Sequence, residues 1–167
     1  DLRPRRRLAL QTGLELDLCY TLAAVYRLQS ALGRGLRPDS AGCVSMAELR
    51  ALVWAMHQGP ESANVIGAGL HLSELGKVIE AVSILIRSST IHGSGSAAAA
   101  ESEAGKLIDW LDLWAVAKID MRLSDEEFWS LTPGMFHALL ERLKRKYGVK
   151  EEPTKEEHVA SVLQKVE

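Results

Sequence analysis

Histidines are the residues of this chain best suited to bind a metal ion, and there are five of them. Zinc sites on a helix pair two histidines four residues apart, so that both imidazoles lie on one face. No two histidines here have that spacing: they are His57, His71, His92, His137 and His158. We therefore interpret them as surface or packing residues and expect no metal site.

Side chains that could act in catalysis form no recognisable active site. Glu126 and Glu127 are adjacent carboxylates, but a place in the first turn of a helix accounts for them, because the helix dipole stabilises negative charge there. The serines between residues 88 and 105 lack the sequence of a nucleophile elbow, and no glycine-rich phosphate loop with its lysine is present. We expect no enzymatic activity, no catalytic residues and no cofactor.

The composition is that of an ordinary globular protein. The chain has 167 residues, of which 47% are hydrophobic and 25% charged, and is long enough to bury a core. The apolar run over residues 14–24 is interrupted by Glu15 and Asp17, unlike a signal peptide or a membrane span. Two cysteines, Cys19 and Cys43, are too few for a disulfide framework. We expect buried thiols in a cytosolic protein that does not bind membranes.

Positive charge is concentrated at the N-terminus, at Arg3, Arg5, Arg6 and Arg7. A basic arm of this kind can bind nucleic acid. It is also typical of a solvated terminus or an edge strand, where charge prevents unwanted pairing. We favour the second interpretation and expect no nucleic-acid partner.

Hydrophobic periodicity predicts an N-terminal domain, residues 1–90, built from a hairpin and three helices. Over residues 5–20, leucines alternate with other residues around a glycine turn at residues 11–13, which predicts the β-hairpin. Thr21 should cap the first helix and Gly33 should end it. The hairpin must lay its leucines on the helices, because two strands alone are marginal in water.

The other two helices of this domain are predicted from their first residues. Residues 34–43 form a loop, after which Ser45 and Glu48 make a capping box for the second helix. Ser73 should open the third helix, whose apolar residues follow helical spacing: Leu75, Val78, Ile79, Val82, Leu85 and Ile86. Residues 60–72 have no assignable element.

Glycine, serine and alanine dominate residues 91–105 and predict a flexible linker. Residues 106–167 should form a second, helical domain. Its first helix is predicted over residues 106–118, with these residues on one side: Leu107, Trp110, Leu111 and Trp114. Thr154 and Glu157 indicate a last helix near the C-terminus. The fold class is therefore mainly α, with an N-terminal helical domain that includes a short β-hairpin, a flexible linker and a small C-terminal helical domain.

Two successive helix starts make residues 121–146 the most strongly specified stretch of the chain. Ser124 and Glu127 form a capping box. Thr132 caps a second helix that begins with Pro133, where a missing amide costs nothing. A hydrophobic staple accompanies each cap: Leu123 with Phe128, and Leu131 with Phe136. Two helices must therefore meet at a sharp corner.

A DNA-binding helix-turn-helix has the same outline, but its recognition helix needs early polar residues that read base edges. Here the second helix begins Pro-Gly-Met-Phe over residues 133–136, and the first polar side chain that could read a base is His137. We therefore do not interpret the corner as a DNA-binding motif.

The corner closely resembles the C-terminal segment of phage tail assembly chaperones. That segment characteristically reads Leu-Ser-x-x-Glu-Phe-Trp-x-Leu-Thr-Pro-x-x-Phe, and the matching residues are Leu123, Ser124, Glu127, Phe128, Trp129, Leu131, Thr132, Pro133 and Phe136. Residues 18–28 and 51–56 are similar to the N-terminal domain of the family. Their order resembles the long, two-domain form found in siphophages and gene transfer agents, which is commonly made by programmed ribosomal frameshifting.

The resemblance implies a role in virion assembly through protein–protein interaction. Family members bind the tape measure protein, keep its hydrophobic helices in solution, recruit tail tube subunits, and are absent from the finished virion. The expected location is the cytoplasm of the bacterial host, and a homo-oligomer is possible. The alternative is a structural virion protein, such as a head–tail connector or tail completion subunit, which would form a closed ring.

Large apolar side chains of the C-terminal region are the candidates for partner binding, because aromatic residues offer large, well-defined contact areas. The candidates are Trp110, Trp114, Phe128, Trp129, Leu131, Phe136 and Leu140. Alternatively, they are the core of a small domain. In the N-terminal domain, helical faces could self-associate or coat tape measure helices, led by Val25, Leu52, Val78 and Val82.

Overall fold

The computed structural model describes residues 3–34, 44–89 and 108–148, which form a mainly helical fold with one β-hairpin. The predicted fold class is confirmed, whereas the predicted linker and last helix lie outside the described residues. In chain order the elements are β1 (Arg5–Ala9), β2 (Glu15–Cys19), α1 (Leu22–Leu32), α2 (Met46–Met56), α3 (Ala63–Gly69), a 3-10 turn (Leu72–Glu74), α4 (Leu75–Ser89), α5 (Trp110–Ile119), α6 (Asp125–Ser130) and α7 (Pro133–Lys146).

The hairpin forms where leucine alternation predicts it. Strands β1 and β2 pair antiparallel, with Arg6 opposite Leu18 and Leu8 opposite Leu16. Gly13 in the turn adopts a positive φ of 80°, which glycine tolerates without strain. Leu16 and Leu18 are both buried, since residues two apart in a strand point to the same face. The hairpin thus presents its leucines to the helices.

The first hydrophobic core lies between the hairpin and helices α1 to α4. Its most buried side chains come from β2 and from each of these helices: Leu18, Leu28, Leu52, Val53, Met56, Ile66, Val78, Val82 and Leu85. Strand β2 also joins the end of α2 through backbone contacts. A bridge pairs Leu18 with His57, and the Gln58 N–H donates to the Asp17 carbonyl at 2.9 Å.

A buried carboxylate ties the hairpin turn to the start of α4. Glu74, in the 3-10 turn, accepts the Gln11 backbone N–H on both oxygens, at 3.0 and 3.1 Å. The Thr12 hydroxyl donates to the Gly69 carbonyl at 3.5 Å. Buried polar groups need hydrogen-bond partners, so these contacts specify one position of the turn. The helix start predicted at Ser73 lies within the 3-10 turn, and α4 follows it directly.

Four of the helix caps predicted from the sequence are confirmed. The side chains of Thr21, Ser45, Ser124 and Thr132 each accept a backbone N–H from the first turn of their helix. Both capping boxes are complete. Gly33 ends α1 in the left-handed conformation, with a φ of 65°. These boundaries follow from local chemistry because the first amides of a helix have no partner within the helix.

Helix α3 lies in residues 60–72, the stretch without an assignable element in the sequence. Gly67 and Gly69 obscure it because glycine disfavours a helix by roughly 1 kcal/mol relative to alanine. The structure explains both glycines. A Cβ atom at Gly67 would collide with the guanidinium of Arg50, and one at Gly69 would meet the side chain of Leu14. Both contacts are with the ends of flexible side chains, so glycine at these positions leaves room for Arg50 and Leu14 where they now lie.

Helix α5 starts later than the predicted residue 106. Asp109 caps it by accepting the backbone N–H groups of Leu111 and Asp112, at 3.1 and 3.2 Å. The helix therefore begins at Trp110. An aspartate before an apolar helical run is a recognised cap signal, and the predicted start at residue 106 overlooked it.

Glu48 makes the start of α2 sensitive to pH. The Ser45 backbone N–H donates to this carboxylate at 3.0 Å, and Arg34 pairs with it at 2.7 Å. These bonds lower the pKa of Glu48 from 4.5 to about 2, and the bond from the Ser45 backbone has the largest effect. A lowered folded-state pKa stabilises the fold above the unfolded-state pKa, and this stabilisation disappears as the pH falls through the folded-state pKa.

We therefore expect the free energy of unfolding to decrease as the pH falls from about 4.5 towards about 2, with part of the slope due to Glu48. The variant Glu48→Gln should have a shallower slope in urea titrations at stepped pH. Glu80→Gln, at an exposed position of α4, is the matched control and should keep the wild-type slope. Identical slopes for Glu48→Gln and the wild type would contradict the assignment.

Candidate protein-interaction surface

A second hydrophobic core joins α1 to the three C-terminal helices. Leu22 of α1 packs with Ala117, Phe128 and Phe136, and all four side chains are buried. The partly buried residues around them are Trp110, Leu113, Met121, Leu123, Trp129, Leu131 and Leu140. The predicted corner between α6 and α7 therefore folds around its own staple residues and rests on the N-terminal part of the chain.

Aromatic rings run through this core as a continuous cluster. Phe128 lies edge-on to Phe136 and to Trp129, with ring centroids 5.6 and 4.8 Å apart. Trp129 in turn contacts Trp110 at 5.7 Å and Tyr26 of α1 at 5.2 Å. Each such pair contributes roughly 0.5–1.5 kcal/mol beyond area burial. The cluster therefore orients α5 and α6 against α1.

Two hydrogen bonds hold the C-terminal helices on α1. The Leu22 backbone N–H donates to the Leu131 carbonyl at 2.8 Å, so the corner supplies a partner to the first turn of α1. The Trp110 indole N–H donates to the buried side chain of Gln29 at 2.5 Å. Because buried polar groups are costly without partners, both bonds favour this one arrangement.

The reversal between α5 and α6 is tight. Arg122 adopts a positive φ of 56°, and the Leu123 N–H donates to the Ala117 carbonyl at 3.0 Å. The Ser124 backbone N–H then donates to Glu127 at 2.7 Å. This bond is the main reason that the pKa of Glu127 is lowered, so the carboxylate stays charged at the positive end of α6.

Apolar residues are exposed on the side of α5 away from the second core. Trp110, Leu113 and Ala117 point into the second core. The outer face carries Leu111 (72% exposed), Trp114 (36%) and Ile119 (76%), and Ile108 (38%) lies two residues before the helix begins. We call these four residues the α5 stripe. The prediction that Trp110 and Leu111 lie on one side was wrong, because the second core packs against the Trp110 side of α5 and leaves Leu111 exposed.

Trp114 is fixed in place although it is exposed. Its indole N–H donates to the Asp125 carboxylate at 2.8 Å. The Lys118 ammonium lies 5.7 Å from the ring centroid and pairs with Asp125 at 3.0 Å. The Trp114 hydrogen bond, followed by the one from Lys118, lowers the pKa of Asp125. A ring held in this way loses little conformational entropy when a partner binds.

All predicted partner-binding residues except Trp114 lie in the second core. Phe128 and Phe136 are buried, and the partly buried ones are Trp110, Trp129, Leu131 and Leu140. The stripe residues Ile108, Leu111 and Ile119 were missed. The sequence pattern that could have found them is the presence of apolar residues on every side of α5. A helix with this pattern is expected to be covered on both faces.

The binding faces suggested for the N-terminal domain are corrected by the structure. Leu52, Val78 and Val82 are buried in the first core, where they pack against one another's helices and the hairpin. Only Val25, which is half-buried, remains at the surface. Leu52, Val78 and Val82 are therefore covered by neighbouring elements and cannot contact a partner in this fold.

His57 is the histidine with the most defined environment, and its contacts are structural. Its Nδ1 accepts the Asp17 backbone N–H at 3.2 Å, and its Nε2 lies 2.5 Å from Glu61. The hydrogen bond from His57 is the main cause that lowers the pKa of Glu61. Gly59 leaves room for the pair, since a Cβ there would collide with both side chains. Both imidazole nitrogens are thus occupied.

The described residues contain no cluster of histidine, cysteine, aspartate or glutamate that could hold a metal ion. None of the helices in residues 3–34, 44–89 and 108–148 is long and apolar enough to cross a membrane. A shallow cavity of about 670 Å³ lies beside His57, lined by side chains of both charges, among them Arg7, Asp17 and Glu61. Compared with this cavity, the exposed apolar residues of the α5 stripe are less typical of a protein surface.

Comparison with protein-family models, with curated proteins and with solved structures finds no match to this chain. Its function therefore has to be argued from its own residues and surfaces.

Truncation of a buried side chain in the second core and of an exposed side chain in the α5 stripe should change the stability of the protein by different amounts. We expect Phe128→Ala to lower the free energy of unfolding by about 3–5 kcal/mol, because it opens a cavity in the second core. Leu111→Ala, at an exposed position of the stripe, should change it by no more than about 0.5 kcal/mol. Urea unfolding followed by tryptophan fluorescence measures both. Equal losses in the two variants would show that the stripe is packed and not exposed.

Proposed function

We propose that this protein is a phage-type tail assembly chaperone, which binds the tape measure protein and recruits tail tube subunits in the cytoplasm of the bacterial host. The observation that carries the proposal is the exposed α5 stripe beside the folded corner of residues 123–136. The corner resembles the family motif and suggests the identity of the partners. The stripe offers a surface on which a hydrophobic helix can bind.

The stripe has the dimensions of a helix-binding site. Leu111 and Ile119 are eight positions apart within α5, which corresponds to about 12 Å along the helix and about two turns of a partner. Helix-in-groove recognition uses apolar anchors at this kind of spacing. Trp114 supplies a preorganised aromatic anchor at the edge of the stripe, the residue type most often found to dominate binding energy.

Charges beside the stripe favour an amphipathic partner with basic residues. Asp109 and Asp112 are exposed in the first turn of α5. Lys118 lies on the same face as Leu111 and Trp114, seven and four residues after them, and is already paired with Asp125. The net character of this end of the stripe is acidic, and complementary charge on a partner helix raises the rate and specificity of association. The long hydrophobic helices of a tape measure protein would need such flanking charges to remain in solution.

The size of the stripe favours exchange over permanent assembly. A single helical face about 12 Å long buries less than the roughly 1,200 Å² typical of stable complexes. Weak, renewable contacts suit a chaperone, which must release its client when the tail is complete. A connector or completion subunit of the virion would need larger, obligate interfaces.

The proposal is tested by co-expressing the intact chain with candidate tape measure and tail tube proteins. We expect the wild type to keep the tape measure protein in the soluble fraction and to co-purify with the tube protein. The double variant Leu111→Ser, Ile119→Ser should lose about tenfold or more in tape measure binding, because it removes two apolar anchors.

Tyr147→Ser is the matched control, since Tyr147 is also an exposed large apolar residue but lies at the end of α7. It should behave as the wild type. If the double variant and the control both retain the tape measure protein, the α5 stripe is not the binding site. If the intact chain binds neither protein and assembles into rings by itself, the chaperone proposal is wrong and a structural virion protein takes its place.

A further inference from the structure

Strand β1 has an open edge. The described sheet has two strands, in the order β1–β2. The far side of β2 is closed by the end of α2, through the Leu18–His57 bridge. No described residue pairs with the far side of β1. An open strand edge presents unpaired backbone N–H and C=O groups that another extended chain can use.

The ladder geometry shows which backbone groups face outward. The Leu10 N–H donates to the Leu14 carbonyl, so Leu8–Leu16 and Arg6–Leu18 are the hydrogen-bonded pairs, since such pairs alternate along an antiparallel ladder. The Asp17 N–H and C=O point away from β1, towards His57 and Gln58. The pairs Arg7–Asp17 and Ala9–Glu15 lie between these and are not hydrogen-bonded to each other. Arg7 and Ala9 therefore direct their N–H and C=O groups to the open side of β1.

Side chains along this edge are cationic on one face and partly apolar on the other. Arg7 lies opposite Asp17, on the face away from the first core, and Leu8 lies opposite the buried Leu16. Arg6 precedes Leu8 on that inner face. Arg6 and Arg7 are exposed, and no described carboxylate forms an ion pair with either of them. Residues next to β1 in an added strand would share these faces.

We propose that the open edge of β1 binds an extended segment of a partner protein in which acidic and apolar residues alternate, so that the segment becomes a third strand. Acidic side chains of the segment lie beside Arg7, and its apolar side chains lie beside Leu8. The Arg7 and Ala9 backbone groups supply two donors and two acceptors to the new ladder. This interaction uses a different surface from the α5 stripe and does not depend on the proposed function.

The backbone groups favour a peptide over a nucleic acid as the partner. Phosphate oxygens accept hydrogen bonds but do not donate them, so a phosphate backbone would leave the outward carbonyls of Arg7 and Ala9 to water, whereas a peptide strand pairs with both their N–H and C=O groups. A second copy of this strand is disfavoured as well, because it would bring arginines beside arginines.

The test uses the intact protein and a fluorescent peptide of about ten residues in which glutamate and valine alternate. We expect saturable binding in fluorescence anisotropy, together with slower hydrogen exchange of the amides of β1. The same peptide with every second amide N-methylated keeps its charge but cannot form the ladder, and it should bind at least about tenfold more weakly.

Variants of the protein separate the backbone contribution from the charge. Ala9→Pro removes an outward N–H but no bond to β2, and Arg7→Glu reverses a charge on the outer face. Each should weaken binding of the peptide at least about tenfold. Arg142→Glu, an equal charge reversal at an exposed position of α7, should bind as the wild type. Far-ultraviolet circular dichroism checks that each variant is folded.

Three results would overturn the proposal. The N-methylated peptide could bind as tightly as the parent, which would mean that only charge is recognised. A single-stranded oligonucleotide could bind more tightly than the peptide and lose affinity in Arg7→Glu, which would identify the edge as a nucleic-acid site. The parent peptide could fail to bind folded wild-type protein at all.

Discussion

Both hydrophobic cores depend on helix α1, because it is buried on two sides. Ala24 and Leu28 pack into the first core with α2, α4 and the hairpin, whereas Leu22 packs into the second core with Phe128 and Phe136. A helix covered on opposite faces cannot move relative to one core without disturbing the other. The position of the C-terminal helices is therefore coupled to the folding of the N-terminal part of the chain.

This coupling determines which apolar surface remains for a partner. The aromatic residues of the corner cover α1, and the faces of α2 and α4 cover the hairpin. Among the described residues, the outer side of α5 keeps exposed apolar side chains, and its inner side is already occupied by the second core. An exposed apolar face on a helix that is anchored through its other side is rigid, and rigidity lowers the entropy lost on binding. Such a surface suits the capture of a client helix.

Buried polar contacts give the fold its specificity. Glu74 receives the Gln11 amide, Gln29 receives the Trp110 indole, and His57 links β2 to Glu61. Apolar packing alone tolerates small shifts between elements, but a buried hydrogen-bond donor or acceptor is satisfied in only one arrangement. No described residue pairs with the outer edge of β1, so this edge can accept an extended chain. Its arginines disfavour pairing with a second copy of the same strand.

The sequence alone determined the local structure. Caps at Thr21, Ser45, Ser124 and Thr132, the hairpin turn at Gly13 and the helical periodicity of α4 were all predicted, because each depends on hydrogen bonds and dihedral preferences within a few residues. The tertiary structure decided which apolar residues are covered. Trp110 and Leu111 are neighbours in sequence, yet Trp110 packs in the second core and Leu111 is exposed to solvent. Helix α3 forms although it contains two glycines. These outcomes depend on contacts between residues far apart in the chain, and hydrophobicity at a single position does not encode them.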